Sequence, residues 1–145
     1  MKIGSSHRTY LFHFLVLLLV AFVVSLLLPR FRIEGQKKSK VSWYGGKFHG
    51  RRSASGRSYN MLDFTAAHCT RPMGSRLRIT NLTNNRSVIV EVIDRGPYRV
   101  TRSGRAVRPL TPHPSREADL SYRSARSLGI LRSGIAEARI EYLVK

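Results

Sequence analysis

The sequence contains a single cysteine and few acidic residues, and both scarcities limit what the protein can be. Because Cys69 stands alone, a disulfide within these 145 residues and a site built from several cysteine ligands are excluded. Only 8 Asp and Glu residues accompany 26 Lys and Arg residues. So basic a chain attracts anionic partners such as nucleic acid, anionic lipid or an acidic cell-wall polymer.

Signatures of nucleic-acid and metal binding are also missing. No helix-turn-helix, zinc or RNA-binding pattern occurs, so we do not expect a nucleic-acid partner. The spacing of His68, Cys69 and Asp94 matches no known ligand pattern, and neither a metal nor another cofactor is expected. The basic excess lies mostly after the first 32 residues, because residues 33–145 alone carry a net charge of +14.

A long apolar run is present near the N-terminus. It extends from Leu11 to Leu28, interrupted only by His13 and Ser25. As a helix it would measure about 27 Å, barely enough to cross a bilayer core. The sequence therefore predicts a signal anchor or signal peptide over 1–32. The lack of a small-x-small site at its end favours an uncleaved anchor, and the lack of a following cysteine excludes a lipoprotein.

The remaining chain has the pattern of a small, mainly β barrel. We interpret 33–40 as a polar linker and 41–145 as one domain. Residues 122–128 are predicted as a short helix capped by Ser121 and stopped by Gly129, and the proline-rich segment 98–115 as a long basic loop. Strands are predicted at 41–45, 65–68, 76–80, 87–93 and 136–144, with a hairpin joining the third and fourth.

The most informative strand ends in a carboxylate. Residues 88–93 are apolar except for Glu91, which indicates a strand buried on most of its surface. Asp94 ends it, and the sequence Arg95-Gly96-Pro97 turns the chain away. Asp94 is therefore a candidate functional residue, with a structural cap of the turn as the alternative.

Eight short motifs follow one another between residues 41 and 144. They are Ser42-Trp43-Tyr44-Gly45, Phe48-His49-Gly50-Arg51, Ala54-Ser55-Gly56, Thr65-Ala66-Ala67-His68, Thr80-Asn81-Leu82, Asn85-Arg86-Ser87-Val88, Asp94-Arg95-Gly96-Pro97 and Asp119-Leu120-Ser121. In this order and spacing they resemble the rare lipoprotein A (RlpA) family. The resemblance implies a six-stranded double-psi β-barrel with one or two short helices.

The same resemblance implies an activity and a place of action. It implies an endolytic peptidoglycan transglycosylase, a lyase that cleaves MurNAc–GlcNAc bonds to 1,6-anhydro ends and uses His68 and Asp94 as catalytic residues. Peptidoglycan glycan strands are the implied partner, and we expect a monomer. Counting Lys and Arg on both sides of the apolar run would keep the domain in the cytoplasm. The resemblance favours the periplasmic side of the inner membrane, or secretion if the segment is cleaved.

One position departs from the family pattern. Where the family has Ser-Gly-Glu, this chain has Ser55-Gly56-Arg57. A single carboxylate can act first as acid and then as base, so Asp94 could suffice. If Arg57 points at Asp94 it lowers the pKa of that carboxyl; if it turns outward it is free to bind substrate carboxylates. The alternative function is a non-catalytic polysaccharide-binding barrel.

Four residues are predicted to bind substrate: Arg57, Tyr59, Arg95 and Trp43. Aromatic residues near a strand start are more often part of the core, so packing is the alternative for Trp43. His68 likewise has a structural alternative as a packed, hydrogen-bonded residue.

Overall fold

The structure, a computed structural model, describes residues 5–27 and 31–144. Residues Ser5–Leu27 form helix α1, which covers most of the apolar run. Within the described residues, no helix meets the length and apolarity that a membrane crossing requires. The predicted segment 1–32 lies partly outside the described residues, and its role as an anchor stays a prediction.

Residues 32–144 form a closed six-stranded barrel, which confirms the predicted mainly β fold. The strands are Arg32–Trp43 (β1), Thr65–His68 (β2), Arg76–Asn81 (β3), Ser87–Asp94 (β4), Arg116–Leu120 (β5) and Ile135–Val144 (β6). Around the barrel their order is β1-β5-β2-β4-β3-β6. The β1–β5 and β2–β4 pairs are parallel and the other four are antiparallel. Closure leaves the sheet without a free edge.

The interpretation of residues 33–40 as a linker is wrong, because they belong to β1. Their sequence is polar and mostly exposed, so it carries no period-two apolar pattern. The backbone nevertheless pairs antiparallel with β6 over Arg32–Ser42. Main-chain hydrogen bonds to a partner distant in sequence hold this strand, and side-chain patterning does not reveal them.

Other local predictions are confirmed. β3 and β4 form the predicted antiparallel hairpin. Helix α2 spans Tyr122–Leu128; the Ser121 hydroxyl accepts the Ser124 N–H bond, and Gly129 ends the helix with a left-handed φ of 76°. A single 3₁₀ turn lies at Gly46–Phe48. Segment 98–115 is irregular apart from two isolated bridges, Tyr98 to Pro112 and Val100 to Ala106.

The core fills the barrel interior. Every strand contributes to it, and Ala125 and Leu128 of α2 pack against one end. In β4 the side chains alternate, with Val88, Val90 and Val92 inside and Ile89 outside. Ile93 is buried as well, so Ile89 is the one exposed residue of 88–93 and the strand is buried on most of its surface, as predicted. Each buried Val or Leu contributes about 1.5–3 kcal/mol, which holds the strand ends that carry the site in place.

Candidate active site

Two carboxylates meet at one end of the barrel, on either side of strand β2. Ala67 of β2 is the register partner of Asp94 in β4 and of Asp119 in β5. Because adjacent strands lie about 4.8 Å apart, the backbones of the two Asp residues are separated by roughly 10 Å. The register skips one residue of β4 just before this point, a bulge of the kind that redirects side chains. Both Asp residues line one cleft of about 140 Å³.

Asp94 is held by main-chain donors. Its Oδ1 accepts the N–H groups of Ala54, at 2.9 Å, and of Arg95, at 2.8 Å. The first bond comes from the loop that contains Ser55 and Gly56, and Ser55 N–H also bonds to the Ile93 carbonyl. Both bonds to Asp94 go to Oδ1, so neither occupies Oδ2. The carboxylate is fixed in direction while one oxygen is left for a ligand.

Asp119 has a different environment. Its Oδ1 accepts a short hydrogen bond from the Ser42 hydroxyl, and the Arg116 guanidinium lies 3.6 Å away. Arg116 also donates to the Ser42 hydroxyl, at 2.8 Å. Burial raises the pKa of the Asp119 carboxyl above its ordinary value, and the Ser42 bond and the Arg116 charge oppose this rise without cancelling it. The side chain is still 21 % exposed.

Aromatic rings form another wall of the cleft. Tyr44 and Phe48 line it together with the two Asp residues, Ala67 and Arg95. The rings of Tyr44 and Phe48 meet edge to face with centroids 5.9 Å apart. Burial raises the pKa of Tyr44, and the charges of Asp94 and Asp119 both add to the rise, so both carboxylates lie within electrostatic reach of this phenol. The cleft offers carboxylate oxygens beside an apolar ring face, a combination suited to sugars.

Arg57 does not pair with Asp94. Its Nη1 donates to Oε1 of Glu91 at 2.8 Å, and its side chain is 53 % exposed. Glu91 lies on the outward face of β4, three residues before Asp94. The guanidinium is therefore directed along the outer surface of the barrel, away from Asp94, and its contact with substrate carboxylates stays a prediction.

His68 lies in a second, larger cavity of about 340 Å³, which Lys37, Glu117 and residues 112–116 also line. Its Nδ1 accepts the N–H groups of Thr70 and Arg71, so in the neutral ring Nε2 carries the proton. Nε2 lies 3.2 Å from Oε1 of Glu117, and the side chain is only 3 % exposed. Burial lowers the pKa of His68, and the Glu117 charge opposes this. Asp94 is absent from the lining of this cavity.

The other predicted substrate residues occupy different positions. Arg95 lines the cleft, but its Nη1 donates to the carbonyls of His68 and Arg71. Trp43 packs against the core and meets Tyr122 edge to face, as the packing alternative predicts. Tyr59 is 2 % exposed beneath Tyr44, with ring centroids 4.6 Å apart. In contrast to the prediction, the Tyr59 ring has no free face for a sugar.

Sequence reasoning missed Asp119 and Phe48 as site residues. Both stand in motifs that carry the resemblance, but neither was predicted as a catalytic or substrate-binding residue. Strand β5 was not predicted, and without it nothing places Asp119 beside β2. A lone Asp before a helix cap carries no other signal in the sequence.

Comparison with known proteins agrees with this architecture. The family model described as lytic transglycolase matches residues 36–140. The endolytic peptidoglycan transglycosylase RlpA of Neisseria meningitidis is 41 % identical over 111 residues, which cover 77 % of this chain and 41 % of that protein. The probable endolytic peptidoglycan transglycosylase RlpA of Aquifex aeolicus is 48 % identical over 95 residues, which cover 66 % and 36 %.

This chain thus spans less than half the length of these two relatives. Among solved structures, the Streptomyces papain inhibitor superposes with a TM-score of 0.53 at 18 % identity, covering 80 % of this chain and all of that one, which supports the fold alone. With the family model spanning most of the barrel, the chain belongs to the lytic transglycolase family and is an RlpA-type double-psi β-barrel.

Proposed function

We propose that this protein is a peptidoglycan lytic transglycosylase that cleaves the bond between MurNAc and GlcNAc and leaves a 1,6-anhydro end. The observation that carries the proposal is the cleft that Asp94 and Asp119 share beside Tyr44 and Phe48, in a barrel of this family. The RlpA relatives named above bear this activity in their names. The cleft supplies the two carboxylates that cleavage of a glycosidic bond commonly uses.

Asp94 is suited to act as the base. Two main-chain N–H groups hold its Oδ1, and neither of them occupies Oδ2. Its other oxygen, Oδ2, can take the proton from the 6-hydroxyl of MurNAc as that oxygen attacks C1. The substitution of Arg for Glu at position 57 does not disturb this role, because Arg57 pairs with Glu91.

The surrounding assignments are part of the same proposal. His68 supports the site by joining the end of β2 to Glu117 in β5, which keeps Ala67 between the two Asp residues. Arg95 holds the turn after β4 through the carbonyls of His68 and Arg71. The apolar N-terminal run anchors the chain in the inner membrane, with the barrel on the periplasmic side as a monomer. The net positive charge of the barrel favours contact with acidic wall polymers.

The test is digestion of purified sacculi by the full chain, with soluble products analysed by mass spectrometry. We expect muropeptides with 1,6-anhydro ends. Reducing ends would indicate hydrolysis instead. Retained binding to sacculi without any released product would support the non-catalytic barrel and overturn the proposed activity.

A further inference from the structure

We propose that Asp119 is the catalytic acid of this cleft and protonates the glycosidic oxygen as the bond to C1 breaks. This inference rests on the proposed function and adds the residue that fills the place of the missing family Glu. The Asp-Arg-Gly-Pro turn supplies one carboxylate, that of Asp94, and the Ser55-Gly56-Arg57 loop supplies none.

The backbone places Asp119 opposite Asp94. Both pair in register with Ala67, one from β5 and one from β4, and both side chains line the same cleft. Ala67 carries only a methyl group, so the space between the two carboxylates is left open for a sugar ring. Two carboxylates on opposite sides of a scissile bond are the arrangement that acid and base roles require.

The two carboxylates differ in what holds them. Asp94 accepts two main-chain N–H bonds on Oδ1, which fix the direction of its carboxylate. Asp119 lies on β5, between β1 and β2, and burial favours its protonated form. An acid and a base in one site need different environments, and the hydrogen-bond partners and burial of these two carboxylates differ.

Several charged or titratable groups surround Asp119. Arg116 lies on its own strand, His113 in the preceding loop, Tyr44 after β1, and Asp94 and Arg95 at the end of β4. Ser42 donates directly to Oδ1. The Ser42 bond and the charges of Arg116 and His113 lower the pKa of Asp119, but burial outweighs them and the pKa stays above its ordinary value.

The step balances without water. Asp119 gives its proton to the oxygen that links MurNAc C1 to GlcNAc, and that C–O bond breaks with its electrons going to the oxygen. The 6-hydroxyl oxygen of the same MurNAc forms a bond to C1 and loses its proton to Asp94. Asp119 ends ionised and Asp94 protonated, and proton exchange with solvent restores both.

The experiment compares the full-length wild type with Asp119→Asn, using Glu137→Gln as a matched control. Glu137 pairs with Lys40 on the exposed surface, away from the cleft. The readout is the initial rate of anhydro-end release from sacculi, and thermal unfolding shows that each variant is folded. We expect Asp119→Asn to lose about 100-fold or more, and a loss smaller than about 30-fold would overturn the assignment.

A second variant keeps the assignment testable if Asp119→Asn fails to fold. An acid must hold its proton, so kcat/KM falls as pH rises through the pKa of Asp119. Ser42→Ala removes a donor to the ionised form and so raises that pKa. We expect the descending limb of the pH profile to move to higher pH, and an unmoved limb would overturn the inference. A wild type that releases no anhydro ends would instead refute the proposed function itself.

Discussion

The barrel presents two cavities whose acidic side chains have different partners. In the smaller cleft Asp94 and Asp119 each have their hydrogen bonds on Oδ1. In the larger cavity the charged groups satisfy one another, because Glu117 accepts from Lys37 at 2.6 Å and lies beside Nε2 of His68. The Tyr142 hydroxyl also donates to Glu117, at 3.4 Å.

The acidic residues of the two cavities also differ in the direction of their pKa shifts. Burial raises the pKa of Glu117, but Lys37 and His68 together outweigh it and hold the pKa below its usual range. Glu117 is thus an ionised partner in a closed network, whereas burial raises the pKa of Asp119, which faces a cleft. We infer that the smaller cleft performs the reaction and that the larger cavity holds β1, β2 and β5 together.

Asp94→Asn should have the largest effect. The amide oxygen can still accept the N–H groups of Ala54 and Arg95, so the turn stays folded, but the residue can no longer take a proton. We expect the rate of anhydro-end release to fall about 100-fold or more, with an unchanged melting temperature. The assay is sacculus digestion beside a circular dichroism melt. A variant that retains most of its rate would remove Asp94 from the mechanism.

Glu117→Gln should affect stability rather than rate. The change breaks the ionic contact with Lys37 and weakens the support of His68, so we expect the free energy of unfolding to fall by about 1–2 kcal/mol. The rate should stay within about threefold of the wild type, since a supporting residue gives no proton to the substrate. Urea titration and the digestion assay measure the two effects. A rate loss as large as that of Asp94→Asn would place the chemistry in the larger cavity.

The stability of the protein should also fall in mild acid because of His68. Burial lowers the pKa of His68 in the folded state, so the unfolded chain takes up the proton first as pH falls below the ordinary value of 6.5. The contribution of His68 to the free energy of unfolding is therefore fully present above that pH. It is lost as the pH falls towards the pKa that His68 has in the folded state. Urea titrations at several pH values in this range give the free energy of unfolding as a function of pH. We expect that free energy to change less with pH in His68→Gln than in the wild type. Because burial lowers the pKa of His113 as well, His113→Gln is measured in parallel to separate the contribution of that residue.

Arg57→Gln should have the smallest effect. Its ion pair with Glu91 is exposed, and such pairs contribute less than about 1 kcal/mol. We expect the free energy of unfolding and kcat to change little. Glu91→Gln removes the other partner of the same ion pair and should have effects of the same size. An increase in KM with Arg57→Gln alone would support the substrate contact predicted from the sequence.

Of the two carboxylates that line the smaller cleft, the sequence predicted Asp94 as a functional residue but not Asp119. Asp94 stands out because an apolar strand and a rigid turn flank it, and local patterns of that kind survive folding. Residues 33–40 and Asp119 do not stand out, because their roles depend on pairing with β6 and β2 far along the chain. The register between strands distant in sequence produces no local sequence pattern, whereas burial of one strand face produces a periodic one.

The same limit explains the errors among the aromatic residues. Tyr59 and Tyr44 are both tyrosines near the motifs, but the loop over 51–59 folds Tyr59 beneath Tyr44 and leaves the latter to line the cleft. His68 directly follows Ala67, and alternation along β2 directs the two side chains to different cavities. Which residue of each pair lines the smaller cleft follows from the three-dimensional structure and not from the local sequence.

The most direct test of the account asks which cavity receives the glycan. The Asp94→Asn variant of the full chain would be titrated with a MurNAc–GlcNAc oligosaccharide while amide chemical shifts are followed by NMR. The account predicts the largest shifts at Ala67, Asp119 and Phe48. Shifts centred on His68, Glu117 and Ser115, with the cleft unaffected, would contradict it.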